Sequence, residues 1–301
     1  MGRVLTLLYH RVRTYNQDTQ LLSVTPKHFA EQLDWLKANY KIVRFDENWE
    51  RIEGDAVCIT FDDGYRDNFL TAAPILNQRQ IPATVFVATG NIDTEREMWW
   101  DELERNLLLD KQYPKTFRLV DEMFGCVWDV VTPEQRVDLY YTLHWLMRHV
   151  DVNRRDQWLS QLQDWNGYTE NGREENYCVQ LRNLKNINTS IIQIGAHTVN
   201  HPVLSELAVD QQRLEIVKSK QFLETILGQP VITFSYPFGG MTDYDEETIK
   251  ICRELGFFKV ASNFPGIWET GEDLYQIPRN IVRDWDLEEF RNHLEVFWEG
   301  I

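Results

Sequence analysis

Short apolar runs alternate with amphipathic helical patterns along most of the chain, and this alternation restricts the fold more than any other feature. Runs of strand length fall at residues 4–10, 41–45, 56–61, 83–88, 190–194, 231–235, 259–262 and 275–282, the last interrupted by Pro278. Helical patterns lie between them. The first starts at Thr25-Pro26, with Thr25 as N-cap, Pro26 at the first helical position, and Phe29, Leu33 and Leu36 on one face. Others cover residues 47–52, 65–80, 209–227, 246–255 and 287–298, with Gly228 and Gly256 as stops. Repeated strand-then-helix units require parallel strands joined by crossover helices. Eight candidate strands predict an α/β fold, a distorted (β/α)7-8 barrel. A doubly wound dinucleotide-binding sheet would carry a glycine-rich loop after the first strand. Tyr9-His10-Arg11-Val12 stands there instead.

The alternation stops between residues 98 and 188. Helices are expected at 98–110, 132–150 and 153–165, with a shorter one at 179–184; Thr132 and Gln135 have capping-box spacing. The predicted organisation is a barrel from residues 1–97 and 189–301, interrupted by a helical insertion, 98–188, acting as cap or lid. Six of the 11 tryptophans (Trp99, Trp100, Trp128, Trp145, Trp158 and Trp165) lie in this insertion. Trp145, Trp158 and Trp165 read as its apolar face. Trp99 and Trp100 directly follow a strand end and are candidates for stacking on a sugar ring.

Composition narrows the partners. The 47 acidic and 31 basic residues give a net charge of −16, and the longest basic cluster is Arg154-Arg155. A nucleic-acid binder needs basic patches, so nucleic acid is set aside. No apolar run approaches the ~20 residues of a transmembrane segment, and residues 4–8 are too short for a signal-peptide core. The four cysteines form no C-x-x-C pair. A cytoplasmic protein with reduced thiols is the expectation.

In β/α barrels the chemistry gathers at the C-terminal ends of the strands. Those ends carry His10, Asp62-Asp63-Gly64, Gly195-Ala196-His197 followed by His201, Tyr236-Pro237-Phe238-Gly239-Gly240, and Arg279. Asp62-Asp63-Gly64 reads either as a capping turn or as a carboxylate pair that needs a cation to relieve its repulsion. His197 and His201 read either as turn residues before Pro202 or, at i, i+4 spacing, as two ligands of one metal. Two histidines and a carboxylate suit a first-row metal, zinc foremost, with a position left open for water. His28, His144, His149 and His293 read as structural or surface groups.

Thr60-Phe61-Asp62-Asp63-Gly64, His197-Thr198-Val199-Asn200-His201-Pro202 and Ser235-Tyr236-Pro237-Phe238-Gly239 resemble, in order and register, the first three motifs of the polysaccharide deacetylases (NodB homology, carbohydrate esterase family 4). Pro82-Ala83-Thr84-Val85-Phe86-Val87 resembles the strand after the first motif, and the likeness extends over most of the chain outside 98–188. The resemblance implies Asp62 as general base, Asp63, His197 and His201 as metal ligands, Tyr236 as a substrate-binding group, and the Phe238 N–H as oxyanion donor. It implies a divalent cofactor, Zn2+ first, with Co2+, Ni2+ or Mn2+ as substitutes. Many members place an arginine in the third motif to orient the base. Ser235 stands there, which makes Arg279 the candidate substitute. The family's late Leu-x-His motif has no match near the C-terminus. Leu7-Leu8-Tyr9-His10 resembles the permuted form in which that motif comes first, so His10 is the implied general acid. The implied activity is hydrolysis of N-acetyl groups on the amino sugars of a polysaccharide, oligosaccharide or glycan precursor. Hydrolysis of another C–N bond, such as a sugar formamide, and a carbohydrate-binding member without turnover are the alternatives.

Overall fold

The computed structural model describes residues 2–167 and 171–300. Its chain divides into two compact units, Met1–Asp93 with Val179–Ile301, and Thr94–Cys178.

The first unit is built on β1 (Gly2–Tyr9), β2 (Lys41–Val43), β3 (Gly54–Phe61), β4 (Ala83–Val87), β5 (Ile192–Ala196), β6 (Thr233–Ser235), β7 (Lys259–Ala261) and β8 (Asn280–Ile281). Seven of these form a curled parallel sheet in the order β7-β6-β5-β4-β3-β1-β8. β2 pairs with the start of β3, opposite Ala56 to Cys58. Crossover helices, among them Pro26–Asn39 and Val209–Leu227, surround the sheet. Thr25 caps the first of these as expected, and Gly228, in the left-handed region at φ +65°, ends the second.

The run at 275–282 is divided by Pro278, which has no N–H to give a ladder. Before the proline, the Ile277 N–H donates to Val260 O at 3.0 Å and the Ser262 N–H to Ile277 O at 2.9 Å. After it, β8 pairs with Leu7 and Leu8 of β1. One short segment thus joins the two edges of the half-barrel.

Strand residues alternate between two apolar layers. Leu5, Leu7, Tyr9, Val57, Ile59 and Phe61 pack outward with Phe29, Leu33, Ile216 and Phe290 of the helices. Val4, Ala56, Cys58, Phe86, Ala261 and Trp268 form an inner cluster. Parallel strands covered on both faces read as near-continuous apolar runs, which is why the sequence located them. The same parity aims Asp62, two and four residues past Thr60 and Cys58, toward the inside.

The second unit contains helices Trp99–Leu108, Pro133–Arg148 and Val152–Asn166. The Thr132–Gln135 capping box is present. The expectation of a purely helical insertion is corrected, because Thr116–Val120 and Gly125–Asp129 pair as an antiparallel hairpin. Phe117 and Leu119 are buried while Thr116, Arg118 and Val120 are exposed, the period-2 pattern of a strand with one covered face. Trp158 is buried as expected, but Trp145 is 62% exposed and is corrected from a core to a surface residue. The short helix near 179–184 forms at Leu181–Lys185, in the first unit. All four cysteines are free. Among the described residues no helix is long and apolar enough to cross a membrane.

Candidate active site

β3 ends at Phe61, and the next two residues turn sharply. Asp63 has φ +72° and Gly64 φ +77°. A Cβ on Gly64 would lie 2.7 Å from a Val87 methyl, so only glycine fits. Seven described non-glycine residues have positive φ, and four of them are Asp63, Thr198, His201 and Phe238. Strained backbone persists where surrounding structure over-determines it, and here it concentrates on the residues singled out from the strand ends.

Asp62 is 4% exposed and Arg279 1%. They form a two-bond fork, Arg279 Nη1 to Asp62 Oδ1 at 2.7 Å and Nη2 to Oδ2 at 2.6 Å. Ser235 fits between them: its hydroxyl accepts from Arg279 Nη2 at 2.8 Å and donates to Asp62 Oδ2 at 3.2 Å. Arg279 is itself anchored through Nη1 to Thr60 Oγ1 at 3.4 Å and through Nε to Ser262 O. Arg279 therefore braces the carboxylate from just before β8, and serine in the third motif leaves room for it. Burial pushes Asp62 up, but Arg279, His197 and His10 outweigh it and bring the carboxyl down to about 2. Three accepted bonds leave Asp62 one lone pair, on Oδ1, that no described residue fills.

Asp63, His197 and His201 are all buried, and one ligand atom from each lies within 4.8 Å of the others. Asp63 Oδ1 is 3.7 Å from His197 Nε2 and 3.4 Å from His201 Nε2. His197 Nδ1 lies 2.7 Å from Ser235 O. A carbonyl only accepts, so Nδ1 carries the proton and Nε2 presents its lone pair. Nε2 is buried with no hydrogen-bond partner among the described residues. Burial lowers the His197 pKa, which keeps the ring neutral. A neutral imidazole, oriented by a carbonyl on one nitrogen and open on the other, is the form that ligates a metal. The residues present therefore fit a divalent ion.

His10 follows β1. Its carbonyl accepts from Asn68 Nδ2 at 2.7 Å, and the neighbouring Arg11 pairs with Asp67 at 2.9 Å. Its ring is half-buried, with Nδ1 unpartnered among the described residues. Burial, aided by Arg279, Arg283 and His197 and opposed by Asp62, lowers its pKa to about 3. Phe238 has φ +59°, and its ring packs edge-on to His201 at 4.6 Å between centroids.

Tyr236 lies in the apolar core. It is fully buried, stacks on Tyr244 at 3.9 Å, and donates its hydroxyl to Tyr275 O at 3.0 Å. It is corrected from a substrate-binding to a core residue. Trp99 and Trp100, in the second unit, are 6% and 4% exposed. Their rings meet edge to face at 5.3 Å, His144 stacks on Trp99 at 5.0 Å, and the Arg155 guanidinium lies over the same ring. A sugar stacking on Trp99 would compete with His144 and Arg155 for that ring, and Trp100 is buried beside it. Thr60 and Ser262 were not singled out in the sequence. Thr60 lies at inward parity two residues before Asp62, which was the available signal.

A sequence profile of the polysaccharide deacetylase family matches residues 50–112 and 168–260. The chain belongs to the polysaccharide deacetylase family. The poly-beta-1,6-N-acetyl-D-glucosamine N-deacetylase of Escherichia coli (strain K12) is 31% identical over 300 residues, 95% of this chain, and the chain spans 38% of that protein's length. Two solved structures share the fold. The Streptococcus pyogenes deacetylase PplD, in complex with acetate, superposes with a TM-score of 0.60 at 19% identity, over 98% of both chains. IcaB from Ammonifex degensii gives 0.62 at 18% identity, over 98% of this chain and 97% of that one.

Proposed function

We propose that the chain removes N-acetyl groups from a β-1,6-linked N-acetylglucosamine polymer, with Asp63, His197 and His201 holding a divalent ion, zinc by the donor set. The Asp62–Arg279 fork beside the Asp63–His197–His201 cluster carries this reading. The name and 31% identity of the E. coli relative support the substrate.

A divalent ion there supplies Lewis acidity, polarising the acetyl carbonyl and lowering the pKa of water toward about 7. Asp62, ionised at neutral pH, accepts the attacking water's proton on the open lone pair of Oδ1. Arg279 trades some basicity of that carboxylate for fixed aim. The Phe238 N–H donates to the oxygen that becomes negative; one such donor is worth about 2.7–4 kcal/mol. His10 is neutral, so it acts as an acid only after gaining a proton, and the one Asp62 takes from water is the source. Delivered to the leaving nitrogen, that proton completes the exchange. Water's oxygen ends in acetate and the sugar is left with a free amine.

The test is acetate release, with formate measured in parallel, from β-1,6-linked N-acetylglucosamine oligomers by zinc-loaded and chelator-stripped protein. Acetate release that needs the metal is the expected result. Zinc-loaded protein that releases no acetate, or acts only on N-formyl sugars, overturns the reading.

A further inference from the structure

The loop after β5 carries two of the three proposed ligands and holds two of its residues in the left-handed region. Thr198 has φ +63° and His201 φ +52°. A β-branched threonine holds such an angle only where its surroundings impose it. Part of the constraint comes from the carbonyl side, where the Thr89 N–H donates to Thr198 O at 3.1 Å and the Gly90 N–H to Val199 O at 2.8 Å. A Cβ on Gly90 would lie 2.7 Å from Val199 O, so this approach requires glycine.

The N–H side is held by side chains. Thr198 Oγ1 accepts from the His201 N–H at 3.1 Å. Glu215 Oε2 accepts from the Val199 N–H at 2.9 Å and the Asn200 N–H at 2.8 Å, and Oε1 accepts from Asn200 Nδ2 at 2.7 Å. Glu215 lies on the helix Val209–Leu227, beside its buried stripe of Gln212, Ile216, Ser219 and Leu223. Bonds to an ionised carboxylate are about twice as strong as neutral ones. Every residue between the two histidines is thus pinned, and Glu215 supplies three of the bonds from an element that carries no ligand.

We propose that Glu215 is a positioning residue for the metal: it holds Val199 and Asn200 so that His197 and His201 both turn toward Asp63. This rests on the reading that those three side chains bind a divalent ion. Outer partners that orient ligands typically govern metal affinity by about 10–100-fold.

The test titrates metal-stripped protein with Co2+, followed by its visible absorption, and measures thermal unfolding in chelator. Glu215→Ala is expected to bind cobalt about 10–100-fold more weakly, with an altered absorption band. Glu215→Gln should recover much of the affinity, because one amide oxygen still accepts both backbone N–H groups. Glu254→Ala, which removes an exposed partner of Arg213, should bind as wild type. Should Glu215→Ala fail to fold, Glu215→Asp, charged but one methylene short, must show the weakened binding. Wild-type affinity and band shape in the folded Glu215 variants overturn this assignment alone. A wild-type protein that binds no cobalt overturns the metal reading and this assignment with it.

Discussion

Replacing Arg279 with methionine tests the brace on the proposed base without opening a large cavity. The change leaves the Asp62 carboxylate buried, with the Ser235 hydroxyl as its remaining side-chain donor. Stranding one partner of a buried ion pair typically costs about 3–5 kcal/mol. The depression of Asp62 from 3.8 to about 2 gives an independent scale. At 1.36 kcal/mol per unit it corresponds to about 2–3 kcal/mol favouring the ionised folded form. The folded wild type binds this proton less readily than the unfolded chain. Asp62's stabilisation is therefore present above about pH 4 and lost as pH falls toward 2. Without Arg279, burial dominates and the folded carboxyl moves above its ordinary value. The variant then takes up a proton on folding and regains stability as pH falls. Urea unfolding of metal-stripped protein, read by tryptophan fluorescence, should show Arg279→Met less stable by about 3–5 kcal/mol near neutrality, with a smaller gap at about pH 5. Adding Asp62→Asn should relieve much of the loss, since no charge is then stranded. A gap under about 1 kcal/mol, or one of equal size at both pH values, would refute the reasoning.

Asp62→Asn should keep bound metal by elemental analysis yet lose about 10²–10⁴ in kcat, and normal turnover would remove it as the base. His197→Ala should lose both metal and activity. Burial brings His10 from 6.5 to about 3, so the folded chain takes up this proton less readily than the unfolded one and is destabilised as pH falls below about 6.5; His10→Gln should make that loss shallower in acid titrations of unfolding. Trp99→Ala should cost about 3–5 kcal/mol in stability with KM for oligosaccharides unchanged. A raised KM without loss of stability would give Trp99 back its place in the substrate path.

All eight strand positions were legible because buried parallel strands write themselves as apolar runs. Asp62, Asp63, His197, His201 and Arg279 were legible because barrel chemistry sits at strand ends. What the pattern could not supply was orientation. Tyr236 directly follows Ser235, whose hydroxyl meets Asp62, yet its ring lies in the core, because a difference of one position reverses the face. Trp99 and Trp100 follow a strand end closely in sequence but belong to a helix whose faces are nearly all covered. The hairpin at Thr116–Val120 and Gly125–Asp129 has only five residues per strand, too few for its alternation to stand out between two helices. Glu215 was invisible because nothing local marks a helical carboxylate that serves a loop 15 residues earlier.

The brace on Asp62 comes from 217 residues further along the chain. A chain still being synthesised, grown past β6, already carries both aspartates and both histidines. It lacks the arginine that braces Asp62, which stands just before the segment that pairs with β1. On the proposed mechanism, a chain clipped before Arg279 would keep the Asp63–His197–His201 cluster but lose the brace on the base, so the last strand segment to join the half-barrel is the one that readies Asp62.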